Sequence, residues 1–321
     1  MKICLVNSFY PPWVGGAERY VSSIAAELTR RHNEVTVVCA NRPLQSGRTW
    51  VDGVEVIRLA SPLTLFGTPI VSPSTHLFAE RYDIIHANFP TPYLAAISAF
   101  AAYLKGIPSV LTWHNDLPGV TLSARLLVTA HNSLQYSYLG VYRRIIATTR
   151  AYALSSPTLA YYRRKVTIIP NGVDIAKFNP HVSGSRIREK HNLGERKVVL
   201  FVGSFGRWHK YKGVGLLIKA FRRASGTRND LKLVLVGSGA LVGEYKRMVV
   251  ELGLEDIVVF AGFVEDDLLP EYYAASDLAV LPSSDRSEGF GLVLLEAMAT
   301  GKPVIGSKVG GVVDVVREGT G

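Results

Sequence analysis

Two glutamates pose the chemical question in this sequence. In "SEGFGLVLLEAMATGKPVIG", Glu288 stands in a glycine-flanked loop and Glu296 follows eight residues on, among Leu, Ala and Met. Carboxylates are rarely left in apolar company without a partner, because an unpaired charge loses its hydration there. Read locally, Glu288 is either a ligand for a substrate or an acid complementing a helix dipole. Glu296 is either a ligand or half of a buried ion pair.

Cations and loop amides are the candidate company. In "GSFGRWHKYKG", Arg207 and Lys212 lie five apart, ahead of a glycine and a helix. An Arg fork and a Lys point charge suit a diphosphate; the plainer reading is a solvated basic loop with Lys210 as a further member. "PPWVGGAE" brings Gly15-Gly16 to a helix N-terminus, where free N–H groups favour an anion, unless it is only a tight turn. His114, in "LTWHND" with Asp116 nearby, ends a strand, a place where a histidine can equally be structural. "LVLVGSGALVG" sets Gly237, Gly239 and Gly243 after a strand like a dinucleotide fingerprint. The ribose-binding acid expected at the end of the next strand is missing, since Glu255 and Asp256 precede "IVVFAG". A loop near a nucleotide, or merely a strand-to-helix turn, is therefore expected there rather than an NAD site. Asp266 and Asp267 read as helix N-caps. No other acidic pair looks like a metal site on a strand end, so no metal or other cofactor is expected.

The elements that must position these residues repeat. "KICLV" is a strand, and in "AERYVSSIAAELTRR" Ala17, Tyr20, Val21, Ile24, Ala25 and Leu28 follow helical spacing. Strands "EVTVVCA", "VEVIRL" and "DIIHAN", an apolar helix near 93–104 and strand "SVLTWH" come next, then a stretch read as helical over about 120–155. "KVTIIPNGVD" marks an exit. The scheme restarts with "KVVLFVG" and alternates through "KPVIGS". Such alternation predicts an α/β protein with two doubly wound parallel sheets facing a cleft, divided as 1–170 and 171–321. Ligands bind beyond the carboxyl ends of such strands.

The bulk numbers narrow the class. A chain of 321 residues suits two domains. The formal charge is +10, and residues 1–165 hold 16 Lys/Arg against 8 Asp/Glu, whereas 166–321 hold 20 against 18. The excess belongs to the first half, which should meet something anionic. Cys4 and Cys39 have no metal-ligand spacing and read as reduced core thiols of a cytoplasmic protein. The N-terminus is no signal peptide, and no apolar run reaches the ~18 residues of a membrane span.

Taken in order, Gly15-Gly16-Ala17-Glu18, His114, "PNGVD", "GRWHKYKG" and "EGFGLVLLE" resemble the retaining GT-B glycosyltransferases of glycosyltransferase family 4. The resemblance runs from Met1 to about Gly319; its specific parts are Glu288-x7-Glu296 and the Arg207/Lys212 spacing. It implies transfer of a hexose from a UDP- or GDP-linked nucleoside-diphosphate sugar to a glycan or lipid-linked acceptor, with retention and without metal. Glu296 would accept hydrogen bonds from the ribose, and Glu288 would lie near the donor hexose. Amides of Phe290, Gly291 and Leu292 would meet diphosphate or hexose. Arg207, Lys212 and the Gly15-Gly16 amides would stabilise the leaving diphosphate, and His114 would contact the sugar or phosphate region. Family members usually carry Asp directly after the histidine, or a "WHSD"-like variant; this chain has Asn115 and then Asp116. The chain stops at "VVREGTG", where a further strand and closing helices are expected, as in a fragment or a short member.

Residues 136–165 mix Tyr and Leu with Arg143, Arg144, Arg150, Arg163, Arg164 and Lys165. Such a surface suits the headgroups of an anionic bilayer on the cytoplasmic face; the alternative is an ordinary solvated helix face. A GT-B epimerase, a NAD-dependent dehydrogenase and a non-catalytic sugar-nucleotide-binding protein are the rival readings. Nucleic acid is not expected, since no recognition motif accompanies the basic surface.

Overall fold

The computed structural model describes residues 1–13, 15–41, 46–65, 68–71, 77, 80–117, 131 and 133–317. The chain divides into two compact units, Met1–Pro170 and Asn171–Gly321.

In the first unit the strands are β1 (Lys2–Val6), β2 (Glu34–Asn41), β3 (Gly47–Val51), β4 (Val54–Ala60), β5 (Leu63–Leu65), β6 (Thr68–Ile70), β7 (Ile84–Phe89), β8 (Ser109–Trp113), β9 (Arg144–Ala147) and β10 (Val166–Ile168). Eight of them form one sheet in the order β10-β9-β8-β7-β1-β2-β4-β3. All its pairs are parallel except β3 with β4. Buried Val35–Ala40 run consecutively along β2, the mark of a strand covered on both faces. Helix α1 (Gly16–Arg30) buries Val21 and Ala25, and α2 (Pro92–Lys105) buries Leu94, Ala95, Ser98, Ala99, Ala101 and Ala102.

The helical expectation over 120–155 needs correction. Residues 133–139 are helical, but Arg144–Ala147 are a strand, followed by short helices α3 (Arg150–Ser155) and α4 (Pro157–Tyr161). "RIIA" pairs with β8 on one side and β10 on the other, so β-branched Ile145 and Ile146, flanked by strands on both sides, override the helical reading. Residues 120–130 and 132 of that stretch lie outside the described residues.

The second unit contains α5 (Ser185–Lys190), β11 (Lys197–Val202), a 3₁₀ helix (Arg207–Lys212), α6 (Val214–Ser225), β12 (Leu231–Val236), α7 (Val242–Glu251), β13 (Val258–Gly262), α8 (Leu269–Ala275), β14 (Leu278–Leu281), α9 (Leu292–Ala299), β15 (Val304–Gly306) and α10 (Val312–Val315). Its parallel sheet runs β13-β12-β11-β14-β15. The chain moves outward from β11 through β12 to β13, then returns to β14 on the other side. The switch point thus lies between the carboxyl ends of β11 and β14, where ligands bind in open α/β sheets.

Packing fixes the loop that leaves β11. Phe201 and Phe205 stack at 5.9 Å, and Phe205 meets Tyr245 of α7 edge-on at 5.8 Å. Burying each such ring stabilises by roughly 1.5–3 kcal/mol. The glycines after β12 serve this same contact. Gly237 has φ +143°, and a Cβ there would fall 1.8 Å from the Gly203 carbonyl oxygen. Phe205 N–H donates to Ser238 O, and Leu241 N–H donates to Phe205 O, both at 2.9 Å. "GSG" therefore brings two loops together, as a strand-to-helix turn.

Candidate functional site

At the switch point of the second unit, the loops after β11 and β14 bring Lys212 and Glu288 together. Lys212 Nζ donates to Glu288 Oε2 at 2.8 Å, and Ser283 Oγ donates to the same oxygen at 3.1 Å. The Lys212 and Glu288 side chains are only 15% and 9% exposed, so this is an ion pair largely withdrawn from water. Burial alone would push the Lys212 ammonium down, but Glu288 and Tyr211 beside it hold it above its ordinary value. Backbone contacts pin both loops: Ser284 N–H donates to Tyr211 O at 2.7 Å, and Gly311 N–H to Glu288 O at 2.9 Å. Gly213, with φ +74°, ends the 3₁₀ helix where a Cβ would lie 2.0 Å from Pro282 O. The basic segment is thus an ordered 3₁₀ turn bent at His209. Arg207 at its start is exposed. His209 is pushed down to about 4 by burial and by Lys212, and so stays neutral.

Gly291, in the left-handed region at φ +87°, begins α9. Phe290 is buried beside it. The Phe290, Gly291 and Leu292 amides donate to no protein acceptor among the described residues. One turn into α9, Glu296 is 4% exposed, and Tyr273 OH donates to its Oε2 at 2.7 Å. Glu288 meets a cation, whereas Glu296 meets a phenol; no spacing rule distinguishes these.

In the first unit His114 follows β8. Asn88 Nδ2 donates to Val6 O at 3.1 Å, which turns Asn88 Oδ1 toward His114 Nε2 at 3.0 Å. The network thereby assigns the proton to Nε2. Burial, then nearby His86, pushes His114 down to about 3, so the ring is neutral at physiological pH. Tyr20 packs edge-on against it at 4.8 Å. His86 and Tyr20 both hydrogen-bond Thr112 Oγ1, at 2.8 and 3.0 Å. Asp116 Oδ1 accepts from Trp113 Nε1 at 3.0 Å and Ser156 Oγ at 2.9 Å, which ties the loop after β8 down.

The Gly15-Gly16 turn does lead into a helix, with Gly15 in extended backbone as its N-cap. Glu18 folds back over it: a Cβ on Gly15 would lie 2.3 Å from Glu18 Oε2. Burial raises Glu18 to about 7, against a hydrogen bond from its own backbone N–H that lowers it. Glycine at 15 makes room for this carboxylate.

Asp266 and Asp267 are not helix caps. The N-cap of α8 is Leu268, without a side-chain cap. The two aspartates instead accept from Lys177 Nζ at 2.8 and 2.9 Å, anchoring the segment after "PNGVD". The full charge of one Lys177 ammonium meets both carboxylates, where a helix N-terminus would offer only partial charges. Ser283, Tyr273, Asn88 and Thr112 escape a reading by motif. Ser283 alone had a signal, its place two residues past the end of β14. Among the described residues no group of three His, Cys, Asp or Glu could hold a metal ion, and no helix is long and apolar enough to cross a membrane.

Known proteins share this architecture. The structure of HepE from Anabaena in complex with UDP and glucose has a TM-score of 0.75 at 24% identity, covering 99% of this chain and 84% of that one. Sucrose-phosphate synthase from Thermosynechococcus elongatus gives 0.75 at 25%, over 98% and 83%. Two Rossmann-like units matched in this way define the GT-B fold. Residues 14–177 match Glycosyltransferase Family 4, and residues 184–321 match Glycosyl transferases group 1. The chain belongs to glycosyltransferase family 4 and is a glycosyltransferase of the GT-B type. O-antigen chain mannosyltransferase C of Escherichia coli is 28% identical over 95% of this chain and 78% of its own length. The GDP-mannose-dependent alpha-(1-6)-phosphatidylinositol monomannoside mannosyltransferase of Mycolicibacterium smegmatis is 28% identical over 98% and 82%.

Proposed function

We propose that this protein transfers a hexose from a UDP- or GDP-linked sugar to a glycan or lipid-linked acceptor, retaining the anomeric configuration and without a metal. The observation that carries this is the Lys212–Glu288–Ser283 cluster at the switch point, with Glu296 one turn into the adjoining helix. Relatives that use GDP-mannose by name, and a structural neighbour holding UDP and glucose, support the donor class.

The donor binds the second unit. Breaking the sugar–phosphate bond leaves a nucleoside diphosphate with added negative charge. Arg207, Lys212 and the Phe290–Leu292 amides stabilise that charge, and losing one such donor costs on the order of 3 kcal/mol of barrier. Lys212 is held charged and in place by Glu288, so little reorganisation is needed when the phosphate arrives. Glu288 lies by the hexose and supports an oxocarbenium-like centre, with departure and attack on one face. Glu296 accepts from the ribose hydroxyls. His114, neutral and with its proton on Nε2, and the Gly15-Gly16 turn are the first unit's candidates for donor contact.

The acceptor falls to the first unit, at an anionic cytoplasmic membrane face. Tyr161 meets Tyr136 and Tyr162 edge-on, both at 4.9 Å. Leu134, Leu154, Tyr161, Arg163 and Arg164 are exposed. Lys165 does not join this surface, because its ammonium donates to Gly140 O and Tyr142 O.

Calorimetry with UDP, GDP and ADP tests the donor reading. One nucleotide should bind selectively, and Glu296→Ala should weaken it while the variant still melts cooperatively. A folded wild type that binds none of the three overturns the proposal.

A further inference from the structure

We propose that Tyr273 is a positioning residue for the donor nucleotide: its hydroxyl orients the Glu296 carboxylate toward the ribose diol. This rests on the assignment of Glu296 to the ribose made above.

Tyr273 lies on α8 and is fully buried. Its ring packs edge-on against Phe178 at 5.9 Å. The end of its helix is fastened as well, since Ser276 N–H and Oγ both donate to Tyr273 O, at 3.0 and 2.8 Å. Ring and backbone are therefore fixed before the hydroxyl is considered. Packing alone asks only for a phenyl ring here. The hydroxyl adds the 2.7 Å bond to Glu296 Oε2.

The geometry gives that bond a consequence. A glutamate side chain ends in a broad torsion with no strong preference, so an unheld carboxylate presents its oxygens in many directions. Glu296 is fixed at its backbone, where Thr300 Oγ1 and N–H both donate to its carbonyl, at 2.9 and 3.1 Å. Holding Oε2 from the interior sets the plane of the carboxylate, and with it the direction offered to a pair of vicinal hydroxyls. A neutral phenol does this without cancelling the charge that makes carboxylate–hydroxyl bonds strong. A lysine at 273 would hold Glu296 equally well but would compete with the ribose for it.

The experiment measures affinity for the nucleoside diphosphate that the wild type binds and for its 2′,3′-dideoxy counterpart, by calorimetry on the full chain. The ratio of the two affinities isolates the diol. Tyr273→Phe should lower the ribonucleotide affinity about fivefold, the worth of one ordinary hydrogen bond, and leave the dideoxy affinity unchanged. Glu296→Gln should shrink the ratio at least as far. In the Glu296→Gln background Tyr273→Phe should add nothing, and this double variant, which removes both buried partners, serves if the single one does not fold. A ratio that Glu296→Gln shrinks and Tyr273→Phe leaves intact overturns the role of Tyr273 alone. So does a further loss in the double variant. A wild type indifferent to the diol, or a ratio untouched by Glu296→Gln, overturns the ribose assignment and the proposal with it. A merely structural tyrosine would weaken both nucleotides together.

Discussion

The Lys212–Glu288 pair can be tested by a double-mutant cycle on stability. The charges meet at 2.8 Å with 15% and 9% exposure, so their gross attraction is of order 6 kcal/mol at an effective dielectric of ~20. Much of that only offsets their lost hydration. Lys212→Met leaves the Glu288 carboxylate buried with Ser283 as its remaining donor, and Glu288→Gln leaves the ammonium buried without its counter-charge. Either single change should cost about 3–5 kcal/mol. For a unit of this size each kcal/mol corresponds to roughly 2–4 °C, so the second unit's transition should fall by about 6–20 °C. Lys212→Met with Glu288→Gln removes both charges and keeps the shape, and should cost no more than about 2 kcal/mol, so that the summed single costs exceed the double by at least about 4 kcal/mol. Differential scanning calorimetry is the assay, because it can resolve the transitions of two units. Single losses that simply add in the double variant would refute the reasoning, since they would mean that the charges do not sense each other.

Two further outcomes follow from burial and backbone geometry. Glu18, raised by burial from its ordinary 4.5 to about 7, keeps its proton in the folded state over a range where the unfolded chain releases it. Stability should therefore fall as pH rises from about 4.5 to 7, by roughly 3 kcal/mol at the end. Urea unfolding across that range should show Glu18→Gln flattening the dependence, and an unchanged slope would exclude Glu18 as its source. Gly213→Ala places a Cβ 2.0 Å from Pro282 O at φ +74° and should destabilise by more than ~2 kcal/mol. A melting temperature within a degree of wild type would show that the turn relaxes freely.

The sequence by itself determined the layered α/β plan, because the two periodicities it rests on are local. Apolar runs such as Val35–Ala40 and the helical spacing of Val21 and Ala25 state burial directly along the chain. It also placed Arg207, Lys212, Glu288 and Glu296 after strands, since strand-to-helix loops carry their own glycines. Tertiary structure alone decided the partners. Glu288 and Lys212 are 76 residues apart, Glu296 and Tyr273 are 23 apart, and Lys177 reaches aspartates 89 and 90 residues on. Strand order brings these residues together, and nothing in a local window encodes strand order. The same cause explains β9, whose "RIIA" is a strand only because β8 and β10 flank it. It also explains Gly237, where the reason for glycine is the carbonyl of Gly203 across the loop.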